Sequence, residues 1–301
     1  MREDTLPAKA SEQERILNVE AAFKTVFRRV PPLIMISMAW LLLVFFVAIF
    51  HKQLMPMDYR TTHLVNRLAP PVFLGGDSGH LLGTDTLGRD TLSRLIRSIY
   101  TSLTVAFLGA IITAVLGTVI GFIAAHFKGI VDEILMTLVD FQYAMPFMIL
   151  ALLVLAFFGN NIVLFVILLG IQGWMRFARL ARGMALSAQE DGYAVAVKQL
   201  GATPFRIYLR HIFPNVSNII VVEFTLNFPE KIIVETSLSF IGLGIQPPET
   251  SLGSMISFGR DYLMAEWWLA VIPGAVIFLT TLAMSLVGDW TRDNLDPTVV
   301  K

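Results

Sequence analysis

Cysteine is absent from all 301 residues, which rules out disulfides, thiolate metal ligands and a cysteine nucleophile. Net charge is absent as well. The 23 basic side chains balance 23 acidic ones, so no overall field selects nucleic acid or an acidic substrate. The chain has no Gly-x4-Gly-Lys-[Ser/Thr] phosphate loop, nor even a Gly-Lys dipeptide, and so is not itself an ATPase. It has no His-Glu-x-x-His pair, and His51, His63, His80, His126 and His211 are scattered, so neither a metal site nor a catalytic site is expected. What is plentiful is apolar surface: 55% of residues are hydrophobic, 15% are charged, and the mean hydropathy is +0.67.

A bilayer crossing takes roughly 20 apolar residues. The run LIMISMAWLLLVFFVAIF (33–50) is the first candidate. The long polar segment before it, and the lack of a small-residue cleavage site after it, separate it from a signal peptide. Further runs cover 102–127, Ile134 to Phe158, IVLFVILLGIQGW after Gly159-Asn160-Asn161, Val216 to Leu243, and Trp268 to Val287. The expected fold is an all-α integral membrane protein with six transmembrane helices. Its parts are an N-terminal segment (1–32), a first helix (33–50), a loop with an interfacial helix (51–101), a five-helix core (102–287) and a C-terminal tail (288–301).

Orientation follows the Lys/Arg bias of short loops. The stretch from Arg176 to His211 holds Arg176, Arg179, Arg182, Lys198, Arg206 and Arg210 against Glu190 and Asp191, whereas the loop between spans five and six has only Arg260. This places the former in the cytoplasm. Parity then puts both termini there and 51–101 outside, although that region carries six Lys/Arg.

Within the cytoplasmic loop, Tyr193, Val197 and Leu200 fall at i, i+4, i+7 on one helical face. Gly201 stands where a left-handed C-cap is cheapest. Gly201-Ala202 makes a corner, and Thr203-Pro204 reads as an N-cap with proline at the first helical position. Phe205, Tyr208, Leu209 and Ile212 then form an apolar face, Arg206 and Arg210 share the polar side, and Pro214 closes the unit before span five. From the residues alone, this helix–corner–helix fits either an amphipathic hairpin on the membrane surface or a docking element.

Gly201-Ala202 followed by Arg210-His211-Ile212-Phe213-Pro214-Asn215 resembles the cytoplasmic loop of binding-protein-dependent ABC importer permeases, with Val195-Ala196-Val197 where that family carries Glu-Ala-Ala. His80-Leu81-Leu82-Gly83-Thr84-Asp85-Thr86-Leu87-Gly88-Arg89-Asp90 is similar to the segment before the second span in C-type subunits of dipeptide and oligopeptide permeases. Leu238-Ser239-Phe240-Ile241-Gly242-Leu243-Gly244 with Gln246-Pro247-Pro248, and Gly288-Asp289 with Arg292-Asp293 and Leu295-Asp296-Pro297, resemble that group's later motifs.

The resemblance implies that 102–287 is an ABC permease core domain. It also implies that Tyr193, Val197, Leu200, Gly201, Ala202, Thr203, Pro204, Arg206 and Arg210 form coupling helices against an ATPase. The implied partners are a second permease subunit, two ABC ATPase subunits, an extracytoplasmic solute-binding protein and a peptide substrate, in a bacterial inner membrane. ATP and Mg are then used by the partner subunits, and this chain binds no cofactor.

Other polar residues add candidates. Gly76-Asp77-Ser78-Gly79-His80 imitates serine-protease lettering, but its glycines argue for turns. Leu92 and Ile96 with Arg89, Arg94 and Arg97 suit an interfacial helix, either a snorkelling anchor or, with Asp85, Arg89 and Asp90, an external gate. Asp140 in span three faces either the pore or a packing partner. Span five carries Glu223, Asn227 and Glu230 at i, i+4, i+7, an expected break at Pro229, and Lys231 four residues before Glu235, a spacing that suggests an ion pair. A charge at the bilayer centre costs about 2.5–3.5 kcal/mol on insertion scales, so these groups are expected to line a translocation path or meet partners. The rival reading is a self-sufficient secondary transporter or channel coupled to ions through those charges.

Overall fold

The computed structural model describes residues 30–190 and 203–295, and its regular elements are helices. They are α1 (Pro32–Ile49), α2 (Thr91–Phe127), α3 (Gly129–Ala144), α4 (Phe147–Phe158), α5 (Ile162–Ile171), α6 (Trp174–Glu190), α7 (Phe213–Phe240), α8 (Leu252–Gly259) and α9 (Trp268–Leu295). Helices α1, α2 and α9 are each long and apolar enough to cross a membrane. The pairs α3–α4 and α5–α6 reach that length only together, bent by 88° and 42°. The fifth apolar run forms α7, 28 residues long, with Glu223, Glu230, Lys231 and Glu235 inside it.

Helix α2 is the axis of the fold, and its sequence explains why. Gly109, Thr113, Gly117 and Gly121 recur every fourth residue, which puts them on one face of the helix. The α5–α6 backbone lies directly on that face. A Cβ at Gly117 would sit 2.4 Å from the Trp174 carbonyl oxygen, and one at Gly121 2.4 Å from that of Ala178. Small residues are what allow helix backbones to approach this closely in a membrane protein. On other faces α2 buries Leu95, Ile99, Leu103 and Ala106 against Val44 of α1, Ile232 of α7, Met255 of α8 and Met284 of α9. Val105 joins a second cluster with Ala151 and Leu155 of α4 and Phe165 and Leu168 of α5.

Several expectations change. The interfacial helix expected before residue 102 is the first three turns of α2 itself, which begins at Thr91. Its arginines do not snorkel. Arg94 lies 3.2 Å from Asp85 and Arg97 2.7 Å from Glu249, so the helix can stand upright with its charges paired. The expected break at Pro229 is absent, and α7 runs through it. A proline forgoes its own backbone N–H bond, and here buried packing around Pro229 carries the helix across that gap.

Pro214 likewise lies within α7 rather than closing a unit before it. The real breaks are elsewhere. Met145 takes an extended conformation ahead of Pro146, as residues before proline tend to. Gln172 is extended and Gly173 has a φ of +86°, a left-handed turn suited to glycine. Residues 176–190, counted above as loop, continue span four as α6.

Replacing Gly117 with valine is expected to force α6 off α2. Overpacking costs about 1–3 kcal/mol in well-packed cores, so the detergent-solubilised protein should unfold at a clearly lower temperature. Gly183→Ala, where nothing lies within 4 Å, serves as the control and should unfold no earlier than the wild type, since alanine favours the helix.

Candidate functional site

The break between α5 and α6 leaves carbonyls at the end of α5 without helical partners. Two side chains from neighbouring helices satisfy them. Thr113 Oγ1 of α2 lies 2.8 Å from the Gly170 oxygen and 3.2 Å from that of Gln172. Lys231 Nζ of α7, fully buried, donates to the Leu169 oxygen at 2.7 Å, to Gln172 Oε1 at 2.6 Å, and to the Gln172 carbonyl. A cation at a helix C-terminus also meets the negative end of the helix dipole. The i, i+4 spacing suggested that Lys231 pairs with Glu235, but among the described residues no ion pair joins them, because the carbonyls take all three ammonium protons.

The same break draws in more of the chain. The Gln172 side-chain amide donates to Glu230 Oε1 at 2.8 Å, and Arg176 Nη2 lies 2.8 Å from Glu230 Oε2. Gln142 of α3 donates to the Ile171 carbonyl at 3.1 Å and accepts from Trp174 Nε1 at 2.5 Å. Asn227 is fully buried one turn from Lys231, and a Cβ on Gly173 would lie 3.2 Å from its Nδ2. Neither polar atom of Asn227 has a hydrogen-bond partner among the described residues. Glu223, one turn further, is half-buried. Glu235 is buried at the other end of the row, accepting from Ser102 of α2 at 3.1 Å and Ser239 at 2.7 Å. The Leu252 amide at the start of α8 donates to that same Ser102, at 3.1 Å.

Helix α6 carries a ladder of arginines three residues apart. Arg176 meets Glu230 of α7, while Arg179 and Arg182 meet Asp140 and Asp132 of α3. Arg182 is bidentate, with both bonds at 2.5 Å, and Arg179 also lies over the Tyr143 ring. Asp140 and Arg179 are largely exposed, at 66% and 49% of their side-chain surface. Charges within a bilayer are costly unless they face partners or water. Asp140, Arg179, Arg176 and Glu230 therefore mark one polar face of the chain. The three arginines were legible as an i, i+3, i+6 row, but their treatment as loop hid their partners.

At the end where α6 stops and the chain returns, the structure shows a clamp. Pro204–Ile207 form one helical turn, Tyr208–Ile212 a π-helical turn, and α7 follows without interruption. Gln189 at the end of α6 donates to the Tyr208 hydroxyl at 2.9 Å and to the Ala125 carbonyl of α2 at 3.2 Å. Ala125, Ala185, Ala188, Ile207, Ile212 and Val216 form the cluster beneath. Thr203, Arg206 and Arg210 are exposed. Tyr193, Val197, Leu200, Gly201 and Ala202 lie outside the described residues, and of Pro204 only the backbone is described.

At the opposite end, Asp85 accepts from the amides of Leu87 (2.8 Å) and Arg89 (2.9 Å), and from Arg89 Nε at 2.7 Å. Asp90 is the N-cap of α2. It accepts from the Ser93 amide at 2.8 Å and lies 3.1 Å from His80 Nδ1. His80 is thus turned away from Ser78, whose hydroxyl reaches Asp77 instead. Gly83 and Gly88, both at φ +72°, let this turn pack against the backbone of Ala69 and His63. Glu249, in the loop before α8, is joined to α2 through Arg97 and to the loop before α2 through Arg60, both at 2.7 Å. Burial raises the Glu249 pKa, but the bond and charge of Arg97, followed by the bond from Arg60, outweigh it and hold the carboxyl below its ordinary value.

Comparison with known proteins decides the family. Residues 117–301 match the model of the binding-protein-dependent transport system inner membrane component. The chain belongs to that family. It is 34% identical over 262 residues to the di/tripeptide transport system permease protein DppC of Pseudomonas aeruginosa, covering 87% of this chain and 86% of that one. It is 35% identical over 258 residues to the glutathione transport system permease protein GsiD of Pectobacterium atrosepticum, covering 86% and 84%. It is 35% identical over 263 residues to the oligopeptide transport system permease protein OppC of Mycobacterium bovis, covering 87% and 89%. An inward-facing structure of the MetNI methionine ABC transporter shares the fold, with a TM-score of 0.54 at 17% identity over 68% of this chain and 97% of that one. The protein is thus an ABC importer permease subunit, and its apolar helices make it a multi-pass membrane protein.

Two outcomes follow from these geometries. Lys231→Met leaves buried carbonyls of the permease unpaired at about 1–3 kcal/mol each, so its unfolding temperature in detergent should fall, whereas Lys231→Arg should recover part of the loss. For Glu249, a folded pKa below the unfolded one of roughly 4.3 means its contribution is complete above that pH and disappears as pH falls through the lower, folded value. Unfolding midpoints should therefore drop on acidification below about pH 4.3 in wild type, and drop less in Glu249→Gln, which starts lower at neutral pH.

Proposed function

We propose that this chain is one of two permeases in an ABC importer for di- or oligopeptides, spanning a bacterial inner membrane six times with both termini in the cytoplasm. In this reading α1, α2, α3–α4, α5–α6, α7 and α9 are the spans. Two ATPase subunits, using ATP and Mg, dock on the coupling helices around Tyr193, Val197, Leu200, Gly201, Ala202, Thr203, Pro204, Arg206 and Arg210. The chain itself binds no cofactor. A solute-binding protein delivers cargo at the end where Asp85, Arg89 and Asp90 shape the outer loop. The path follows the polar face of Asp140, Glu223, Asn227 and Glu230, with Lys231 and Glu235 as its internal supports. The peptide cargo is favoured by the names of the relatives sharing more than four-fifths of the chain.

One observation carries the coupling. Both roots of the loop are fixed to the same end of α2, through Gln189, Tyr208 and Ala125, and the returning root is continuous with α7. Displacing those two roots cannot leave the helices behind. It moves α6 and α7, and with them the break at Gln172-Gly173. Asn227, buried without partners beside that break, is the group whose bonding improves when the two helices rearrange, since an unpaired buried amide costs about 1–3 kcal/mol. Coupling of this kind needs a contact that differs between two states.

The deciding experiment is affinity purification of the tagged chain from native membranes in mild detergent. Two ATPase subunits and a second permease are the expected companions. A lone chain or homo-oligomer that moves solute without ATP would overturn the importer assembly. In the assembled complex, Ala202→Trp should leave ATP hydrolysis running while peptide uptake falls at least tenfold or so, a loss of about 1.4 kcal/mol in coupling.

A further inference from the structure

The two broken spans meet around a cavity of about 160 Å³, lined among others by Gln142, Tyr143, Gln172, Gly173 and Arg176. Its remaining walls are apolar: Met145, Phe147, Leu150 and Met175. Arg176 is the only charged group on that lining, and its side chain is 45% exposed. Only its Nη2 is used, on Glu230. Among the described residues its Nε and Nη1 donors have no partner. Helix α6 begins at Trp174 beside the cavity and presents the positive end of its dipole there, the Arg176 amide being bonded to the Gly173 carbonyl at 3.3 Å.

Glu230 is already bonded to Arg176 and to the Gln172 amide, and the carboxylate of Glu223, two turns earlier on α7, also acts on Arg176. A guanidinium with an open edge, set in an apolar cavity at a discontinuous helix, is suited to a planar carboxylate carrying a side chain. It repels a metal cation, and four apolar walls offer a sugar too few polar partners.

We propose that this cavity is a carboxylate subsite on the translocation path: Arg176 receives the C-terminal carboxylate of a short peptide, and the Met145, Phe147, Leu150 and Met175 walls hold its last side chain. The subsite rests on the peptide-importer reading and narrows it to peptides with a free C-terminus. Glu230 then acts as a positioning residue, fixing Arg176 from behind while its other donors turn to the cargo.

The test uses the complete importer in proteoliposomes, with ATP inside or outside as its orientation requires and the binding protein saturated with each peptide. Uptake is compared for Ala-Ala-Phe and its C-terminal amide. Because the binding protein is unchanged, only the permease can alter the ratio between wild type and variant. Arg176→Gln should reduce the preference for the free acid by about tenfold or more, as expected when a site built to bond a group loses the means to do so. Arg176→Lys should restore part of it.

An unchanged ratio in Arg176→Gln would overturn the subsite while leaving the peptide importer standing. A wild type that transports no peptide in either form would instead overturn the cargo reading. Should Arg176→Gln fail to assemble, Leu150→Trp decides the matter with free acids alone. It should depress uptake of Ala-Ala-Phe more than that of Ala-Ala-Gly, and equal loss for both would remove the apolar wall from the site.

Discussion

Backbone groups in the interior of a membrane protein must find partners within the protein, and the break at Gln172-Gly173 is where this one meets that demand at greatest expense. Its solution is distributed: Thr113 from α2, Lys231 from α7 and Gln142 from α3 share the free carbonyls. Because three elements supply the caps, the break cannot be altered by moving any one of them alone. Arg176 and Glu230 extend the linkage to the first turn of α6, and Gln142 extends it to α3. The arrangement of α3 to α7 is therefore set by where one helix stops.

The long apolar runs were legible because hydrophobic length is a property of sequence alone. So was the turn at Gly79, read from the glycines of Gly76-Asp77-Ser78-Gly79-His80. Direction was not legible. Nothing in the pattern from Ile134 to Phe158 states that the chain turns by 88° at Met145-Pro146, although that proline was the available signal. Pro229 carries the same local signal with the opposite result, since its surroundings bury it and α7 continues. A proline marks a missing donor, and tertiary packing decides whether the helix ends there.

Charge spacing misled in a related way. Lys231 and Glu235 sit one turn apart, and in an isolated helix that spacing favours an ion pair. Each instead reaches a different neighbour: the lysine the end of α5, the glutamate the hydroxyls of Ser102 and Ser239. Uncapped carbonyls in an apolar interior are the stronger claim on a buried ammonium, because leaving them bare costs more than an i, i+4 pair of a few tenths of a kcal/mol returns. The site was visible as a set of residue types in α7, and its partners were invisible because they come from helices distant in sequence.

This division of labour among the charges bears on how the protein is powered. A transporter coupled to ions needs ionisable groups that can exchange partners with solvent during the cycle. Of the charges in α7 that made such coupling conceivable, Lys231 and Glu235 are wholly buried and bonded within the chain, Glu230 is held by Arg176 and Gln172, and Glu223 is half-buried with no ion pair among the described residues. The accessible charges, Arg176, Arg179 and Asp140, are paired between α6, α7 and α3, so they report the relative position of helices rather than the state of an ion. On the importer reading proposed above, energy enters mechanically, through something that shifts α6 and α7 together. The described structure offers one lever that does so: the pair of helix roots tied by Gln189 and Tyr208 to the end of α2.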